Sequence, residues 1–388
     1  MLDGMNVIDS LIGNAEAFPV LRNWAFFNHA GVAPLPRSAA QALVDFAAQA
    51  EAGAYLDARW YGDLEKLRVI AAKFIGADRD EIAFVKNTGE GLSTVAAGID
   101  WRAGDRIVTT NAEYPSNIYP WMAAAKRHGL ELVMVGEETM SDGSRAVPIE
   151  KILDAIAQPR TRLVTLSHVE FASGQRHDLA TIGRFCRERG VLLCVDAIQS
   201  LGVVGVDVAA MNIDYLAADG HKWMLGPEGA GIFYCRRELL EKTRPLTVGW
   251  MNVVDAGNFG KYDYTLKADA GRFECGSPPM PGLMALKESL TILSSIPAGQ
   301  LADRIRVLGD RLIEGVKRKG YTVVSPRANE AWSGNVSFTS AVHAHEPIVT
   351  MLRKEHKIEI ASRVGRLRCS AHFYNTEGQI DRLIGALP

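Results

Sequence analysis

Three short apolar runs stand out from the mixed texture of this chain. Val191-Leu192-Leu193-Cys194-Val195 stops at Asp196, and Tyr215-Leu216-Ala217-Ala218 stops at Asp219-Gly220-His221-Lys222-Trp223. Ile232-Phe233-Tyr234 follows a cluster of glycines at Gly226, Gly229 and Gly231. Continuous apolar runs of this length read as strands buried on both faces. Further strand-like runs lie at 82–85, 107–109, 132–135 and 163–166. They alternate with helical patterns at about 90–99, 119–128, 149–157 and 179–189, the last closed by Gly190. Two earlier helices are expected, one from Pro36-Arg37-Ser38 with Leu43, Phe46, Ala47 and Ala50 on one face, one over 63–75; residues 1–35 read as irregular. Strands alternating with helices predict an α/β domain with a largely parallel sheet.

Between Gly249 and Pro281 the pattern weakens into Gly, Asp, Tyr and Pro. Beyond it a helix over 298–319 carries Leu301, Ile305, Leu308, Leu312 and Val316 on one stripe, and Gly320 ends it. Short strands near 321–324, 335–338, 358–361 and 367–370 follow, with helices near 347–356 and after Thr376, where Thr376 and Gln379 have capping-box spacing. The expected organisation is an N-terminal segment, 1–20, packing on the small domain; a large domain, 21–260; and a small C-terminal α+β domain, 261–388.

Composition narrows the function classes. The chain has 388 residues, 47% hydrophobic and 23% charged, as in ordinary soluble proteins. A net charge of −2 favours neither nucleic acid nor an anionic membrane as partner. No apolar stretch reaches the roughly 18 residues of a membrane span, and no signal peptide is expected. Five scattered cysteines without a CxxC pair argue against a disulfide framework or a zinc site, and for a reducing, cytoplasmic setting.

Candidate chemistry lies where the strands end. Thr88-Gly89, Ser167-His168, Asp196 and His221-Lys222 should share one sheet edge, the usual ligand edge of open α/β sheets. Thr88-Gly89 runs into a helix, whose N-terminus can hold a phosphate. Lys222, walled by Trp223 and Met224, is a candidate for a lowered pKa and Schiff-base chemistry. Taken singly, Asp196 could be a helix cap and Lys222 a solvated loop residue. Together, a lysine, an acid and an anion site are what pyridoxal phosphate requires. No GxGxxG follows the first strand, which counts against a dinucleotide-dependent oxidoreductase. A non-catalytic binding module remains a rival.

Val195-Asp196-Ala197-Ile198-Gln199, Asp219-Gly220-His221-Lys222-Trp223 and Gly226-Pro227-Glu228-Gly229 resemble the class V aminotransferases, fold type I pyridoxal-phosphate enzymes. Asn28-His29-Ala30-Gly31, Glu113-Tyr114-Pro115-Ser116-Asn117, Phe273-Glu274-Cys275-Gly276-Ser277-Pro278 and the segment from Arg368 to Thr376 fall in the family's order. Within the family the chain is similar to the branch of cysteine desulfurases, selenocysteine lyases and isopenicillin N epimerase-like proteins. The resemblance implies a mostly parallel sheet of seven-stranded type with a smaller C-terminal α+β domain. It implies Lys222 as the Schiff-base lysine, Asp196 as partner of the pyridinium nitrogen, and Gln199 near the ring hydroxyl or phosphate. Thr88, Gly89 and His221 would hold the phosphate, and Tyr114 would stack on the ring. Ser277 would reach the phosphate of a neighbouring subunit, which implies a homodimer. Arg368 would grip a substrate carboxylate, with Arg363, Asn28 and His29 also at the substrate. No metal is implied. The implied course runs through an external aldimine and a quinonoid on a small amino acid. Its fate separates a carbon–sulfur lyase or transaminase-type reaction, the leading expectation, from epimerisation.

Departures from that branch are equally informative. Phe171 stands where desulfurases place an asparagine, and Asp219 where they often place a phosphate-binding serine, so Asp219 is expected to turn away or cap a turn. The loop carrying a persulfide cysteine is not apparent, because Arg363-Val364-Gly365-Arg366-Leu367-Arg368 runs from one arginine to the next. Cys369 should point away from Arg368 by strand alternation, and Cys275 reads as a packing residue. Persulfide-forming desulfurase chemistry is therefore an alternative, beside epimerisation, and not the leading expectation.

Overall fold

The computed structural model describes residues 6–328 and 330–388. Its centre is a seven-stranded sheet in the spatial order Ile82–Val85, Gly231–Cys235, Tyr215–Asp219, Leu192–Asp196, Thr161–Ser167, Arg106–Thr110 and Glu131–Val135. Gly231–Cys235 is antiparallel to both neighbours, and the other pairs are parallel. Alternate residues of the same strands feed two different apolar clusters. Phe84, Val108, Leu193, Val195 and Leu216 enter one, and Ala83, Val85, Ile107, Cys194 and Ala217 the other. Both faces are thus covered, which is why these strands read as continuous apolar runs rather than alternating ones.

Helices Thr88–Gly98, Tyr119–His128, Ile149–Ile156 and Leu179–Arg189 fall where the periodicity places them, and Gly190 closes the last at φ +66°. Register brings the parallel strands to one edge: Ser167 lies opposite Asp196, and Asp196 opposite Ala217.

A four-stranded antiparallel sheet, Thr322–Val323, Val336–Thr339, Arg366–Cys369 and Ala361–Arg363, packs with helices Ala298–Arg318, His345–His356 and Glu377–Ala386. Thr376 and Gln379 form the expected capping box. The long helix serves both cores, giving Leu301 and Ile305 to the large-sheet cluster and Leu308, Leu312 and Val316 to the small one.

Three features differ from the sequence reading. Residues 6–35 are not uniformly irregular: Val7–Leu11 is a helix, and Ala25–Phe26 pairs in parallel with Ile358–Glu359. A two-residue strand has no periodicity to read, so only its distant partner reveals it. Helix Met280–Ser294 was not anticipated; Leu283, Leu286, Leu290 and Leu293 bury it in the large-sheet core. The helix from Arg37 forms as expected, Arg37–Gly53, yet Ala47 and Ala50 on its anticipated apolar face are exposed in the single chain. Of the expected N-terminal segment, residues 1–5 lie outside the described residues; Ile8 and Phe18 pack in the large-sheet cluster, and Phe18 stacks on Tyr374 with ring centroids 4.0 Å apart.

Candidate active site

A cavity of about 680 Å³ opens at the edge where the parallel strands end. Asp196 is the last residue of its strand, and Lys222 follows Tyr215–Asp219 by three positions; both line the cavity. Asp196 is 2% exposed and Lys222 9%. Burial pushes the Asp196 carboxyl up to about 6, opposed by the Ile198 N–H donated to Oδ1 at 2.9 Å and by the Lys222 charge. Burial pushes the Lys222 amine down to about 8, opposed by Asp196 and reinforced by Arg368. A substantial neutral fraction of an amine at physiological pH is the state a Schiff-base lysine needs.

One end of the cavity suits an anion. Helix Thr88–Gly98 begins there, with Asn87 capping it by accepting the Glu90 N–H at 2.9 Å. Its open N–H groups and the helix dipole favour negative charge. Gly91 lets this helix lie close on the sheet, since a Cβ there would sit 2.7 Å from the Ala217 Cβ. Thr88 Oγ1 accepts the Asp219 N–H at 3.0 Å. Asp219 does not turn away. It lines the cavity, caps a turn by accepting the Gly220 N–H at 2.8 Å, and places Oδ2 2.9 Å from His221 Nδ1. Gln199 donates to the Ala30 carbonyl at 3.1 Å and accepts the Trp223 indole N–H at 3.0 Å, so its place at the cavity wall is fixed from behind.

The other end carries Tyr114, Phe171, Asn28, Arg363 and Arg368. Tyr114 and Phe171 meet edge to face at 5.3 Å, and Lys222 Nζ lies 5.4 Å from the centre of the Tyr114 ring. Arg368 is 2% exposed. Its Nη1 donates to the Phe171 carbonyl at 2.8 Å, and Nη2 reaches Asn28 Oδ1 only at 3.5 Å. Nε has no partner. Burial, with Arg363 nearby, pushes this guanidinium down to about 9. A buried guanidinium with an unpaired N–H edge is poorly compensated alone, and a carboxylate matches its fork.

The structure brings together Thr88, Gly89, Tyr114, Asp196, Gln199, His221, Lys222, Asn28, Arg363 and Arg368 around this one cavity. It does not bring His29 or Ser277 to it. His29, expected at the substrate, is fully buried, with Nδ1 2.8 Å from the Ser370 carbonyl and Nε2 2.6 Å from the Tyr374 hydroxyl. The strand pairing at 25–26 turns it inward while its neighbour Asn28 faces the cavity. Ser277 is exposed, away from its own chain's cavity. Cys369 is buried in the small-domain core, and Cys275 is half-buried outside the cavity. Sequence reading missed Glu359, which lines the cavity and accepts from Arg353 Nε and Nη2 at 2.6 and 2.7 Å. It lies on the two-residue strand Ile358–Glu359, too short to signal a site. Among the described residues no group of His, Cys, Asp and Glu could hold a metal ion.

A buried amine, a buried acid and an open helix N-terminus around one cavity fit the aldehyde, ring nitrogen and phosphate of pyridoxal phosphate. Comparison with known proteins agrees. The chain is 33% identical over 339 residues to a probable cysteine desulfurase of Pyrococcus abyssi, covering 83% of this chain and 82% of that one. It is 30% identical over 371 residues to isopenicillin N epimerase of Streptomyces clavuligerus, covering 91% and 92%. The cystine C–S lyase C-DES, solved with its product cysteine persulfide, superposes with a TM-score of 0.86 at 27% identity, covering 95% of this chain and 98% of that one. The sequence profile of the class-V aminotransferases matches residues 25–383. The chain belongs to the class-V aminotransferases, a family of pyridoxal-phosphate-dependent enzymes.

Proposed function

We propose that this enzyme is a carbon–sulfur lyase for a small amino acid with sulfur on its β-carbon, of the cystine type, and that sulfur leaves on the departing fragment rather than on a protein cysteine. The observation that carries this reading is the cavity's lack of cysteine: four of the five are buried in cores and Cys275 stands outside. The hairpin between Arg363 and Arg366 is closed by Val364 and Gly365 alone, both at positive φ, a two-residue turn with no room for a cysteine-bearing loop.

Lys222 would hold the cofactor through its aldehyde, Asp196 its ring nitrogen, and Thr88, Gly89 and His221 its phosphate, with Gln199 beside the ring. When bound, the cofactor supplies an electron sink for the substrate's α-carbon. The Nε and Nη2 edge of Arg368 binds the substrate carboxylate, Arg363 adds positive charge, and Asn28 steadies Arg368. Tyr114 and Phe171 wall one end of the site. Lys222 takes the α-proton. The β-carbon–sulfur bond then breaks with its electron pair going to sulfur. For cystine the balance is one water consumed, with pyruvate, ammonia and cysteine persulfide released.

We further infer a cytoplasmic homodimer. Exposed Val44, Leu56, Trp250, Phe259, Tyr262 and Tyr264 offer apolar surface for a second copy, and Ser277 stands free to reach a neighbouring site. Five free cysteines suit a reducing compartment. The test is product analysis with cystine, cysteine and alanine plus a keto acid. Pyruvate with persulfide from cystine, unchanged in Cys275→Ser, supports the lyase. Alanine release would indicate a desulfurase, amine transfer an aminotransferase, and inversion at Cα without cleavage an epimerase; any of these as the main activity overturns the proposal.

A further inference from the structure

Two buried glutamates lie behind the aromatic wall, and the chemistry above uses neither. Glu113 immediately precedes Tyr114, and Glu170 immediately precedes Phe171. They are 7% and 0% exposed. Glu113 accepts the Ser167 N–H and meets the Ser167 hydroxyl, each at 2.5 Å, which ties the loop carrying Tyr114 to the strand beside Asp196. Glu170 Oε1 lies 3.0 Å from His177 Nε2 and accepts the Thr110 hydroxyl at 3.0 Å. Thr110 Oγ1 in turn accepts the Ala112 N–H at 3.2 Å. One carboxyl therefore joins the Tyr114 loop to the turn that carries Phe171. The Phe171 carbonyl is also the acceptor for Arg368.

We propose that Glu113 and Glu170 are positioning residues that hold the Tyr114–Phe171 wall together and, through the Phe171 carbonyl, set the seat of Arg368. A carboxyl in a dry interior resists ionisation. Burial pushes Glu113 well up, with the Glu170 charge adding to it and the Ser167 and Asn117 hydrogen bonds opposing it; burial pushes Glu170 up to about 8, opposed by the Thr110 hydroxyl. At Glu170 the relief comes from the Thr110 hydroxyl. Glu137 and Asp196 face Glu170 with the same sign. Burial pushes His168 down to about 3 and His177 down to about 4, so both are neutral at physiological pH, and Arg176 acts on His168. Among the described residues Glu170 Oε2 has no hydrogen-bond partner, so a charge arriving there is unsatisfied. Ionisation would push the two loops apart and loosen the wall and the arginine together.

The inference rests on the cavity being the substrate site, but its test does not need the lyase assignment. In holoenzyme labelled with 4-fluorophenylalanine, the Phe171 fluorine resonance, assigned by Phe171→Leu, should move as pH rises through about 8. In Glu170→Gln, which keeps the shape and stays neutral, it should stay still. With substrate, KM in the parent enzyme should rise about five- to tenfold over the same range, the loss of roughly one hydrogen bond, with kcat changing less. Glu170→Gln should flatten that KM profile, and Glu170→Ala should raise KM at every pH. A Phe171 resonance insensitive to pH, or one with the same sensitivity in Glu170→Gln, overturns the proposal. Failure of the lyase reading would appear in the products and leave the fluorine result intact.

Discussion

Replacing Arg368 tests the substrate site most directly. In Arg368→Met the side chain keeps its apolar length and loses its charge. Two N–H groups on one edge, Nε and Nη2, are open or nearly so, and a hydrogen bond to a charged partner contributes about 1.5–3 kcal/mol. Losing two costs about 3–6 kcal/mol, or roughly 10²–10⁴ in kcat/KM. A carboxylate is held alike before and during the reaction, so the loss should fall mainly on KM. Arg368→Lys keeps the charge without the fork and should lose about half that free energy, roughly 10–10²-fold. Stability should respond differently. The substrate-free protein carries this buried cation poorly compensated, so removing it should leave Tm unchanged or raised, even after losing the Phe171 contact. Steady-state kinetics and a thermal melt of both variants read the two effects. If Arg368→Met keeps KM within twofold while Tm falls by more than about 5 °C, the arginine is structural and the carboxylate reading is wrong.

Lys222→Ala should prevent borohydride from fixing the cofactor to the chain, checked by mass spectrometry, and should lower kcat by at least about 10²–10⁴, the usual weight of a positioned proton carrier. Asp196 has a folded pKa raised from an ordinary 3.8 to about 6. Its contribution to stability is therefore present below pH 4 and lost as pH rises through 6. Asp196→Asn lacks that loss, so without cofactor it should gain stability over the parent between pH 4 and 6, by about 2–3 kcal/mol at most, while activity falls. Equal pH dependence in urea melts of the two proteins would refute the buried-charge account. Phe259→Asp with Tyr264→Asp should shift the protein from dimer to monomer in light scattering, and an unchanged mass would place the interface elsewhere.

Much of this was legible along the chain because the physics is local. Strands buried on both faces must be continuously apolar, and the runs at 192–195 and 215–218 are so, ending at the two residues that matter most, Asp196 and the Asp219-Gly220-His221-Lys222 turn. Leu179–Arg189 carries its own stop signal in Gly190, and Thr376 with Gln379 its own start. Resemblance then assigned roles to residues whose spacing alone allowed several. Helix Met280–Ser294 escaped because it sits in a stretch dense in Gly and Pro upstream, and Ala25–Phe26 because pairing with a strand more than 300 residues away leaves no local trace.

What the sequence determined by itself was which side chains are available and which segments must be buried: a lysine and an acid after apolar strands, an arginine on a small-domain strand, and a run from Arg363 to Arg368 that contains no cysteine. Only tertiary structure decided which of them meet. It set Asn28 at the cavity and its neighbour His29 beneath Tyr374, left an edge of the Arg368 guanidinium unpaired, and closed Glu113 and Glu170 behind the aromatic wall. Those outcomes depend on packing between distant segments, where burial removes water and changes both the charge a group carries and the partner it needs.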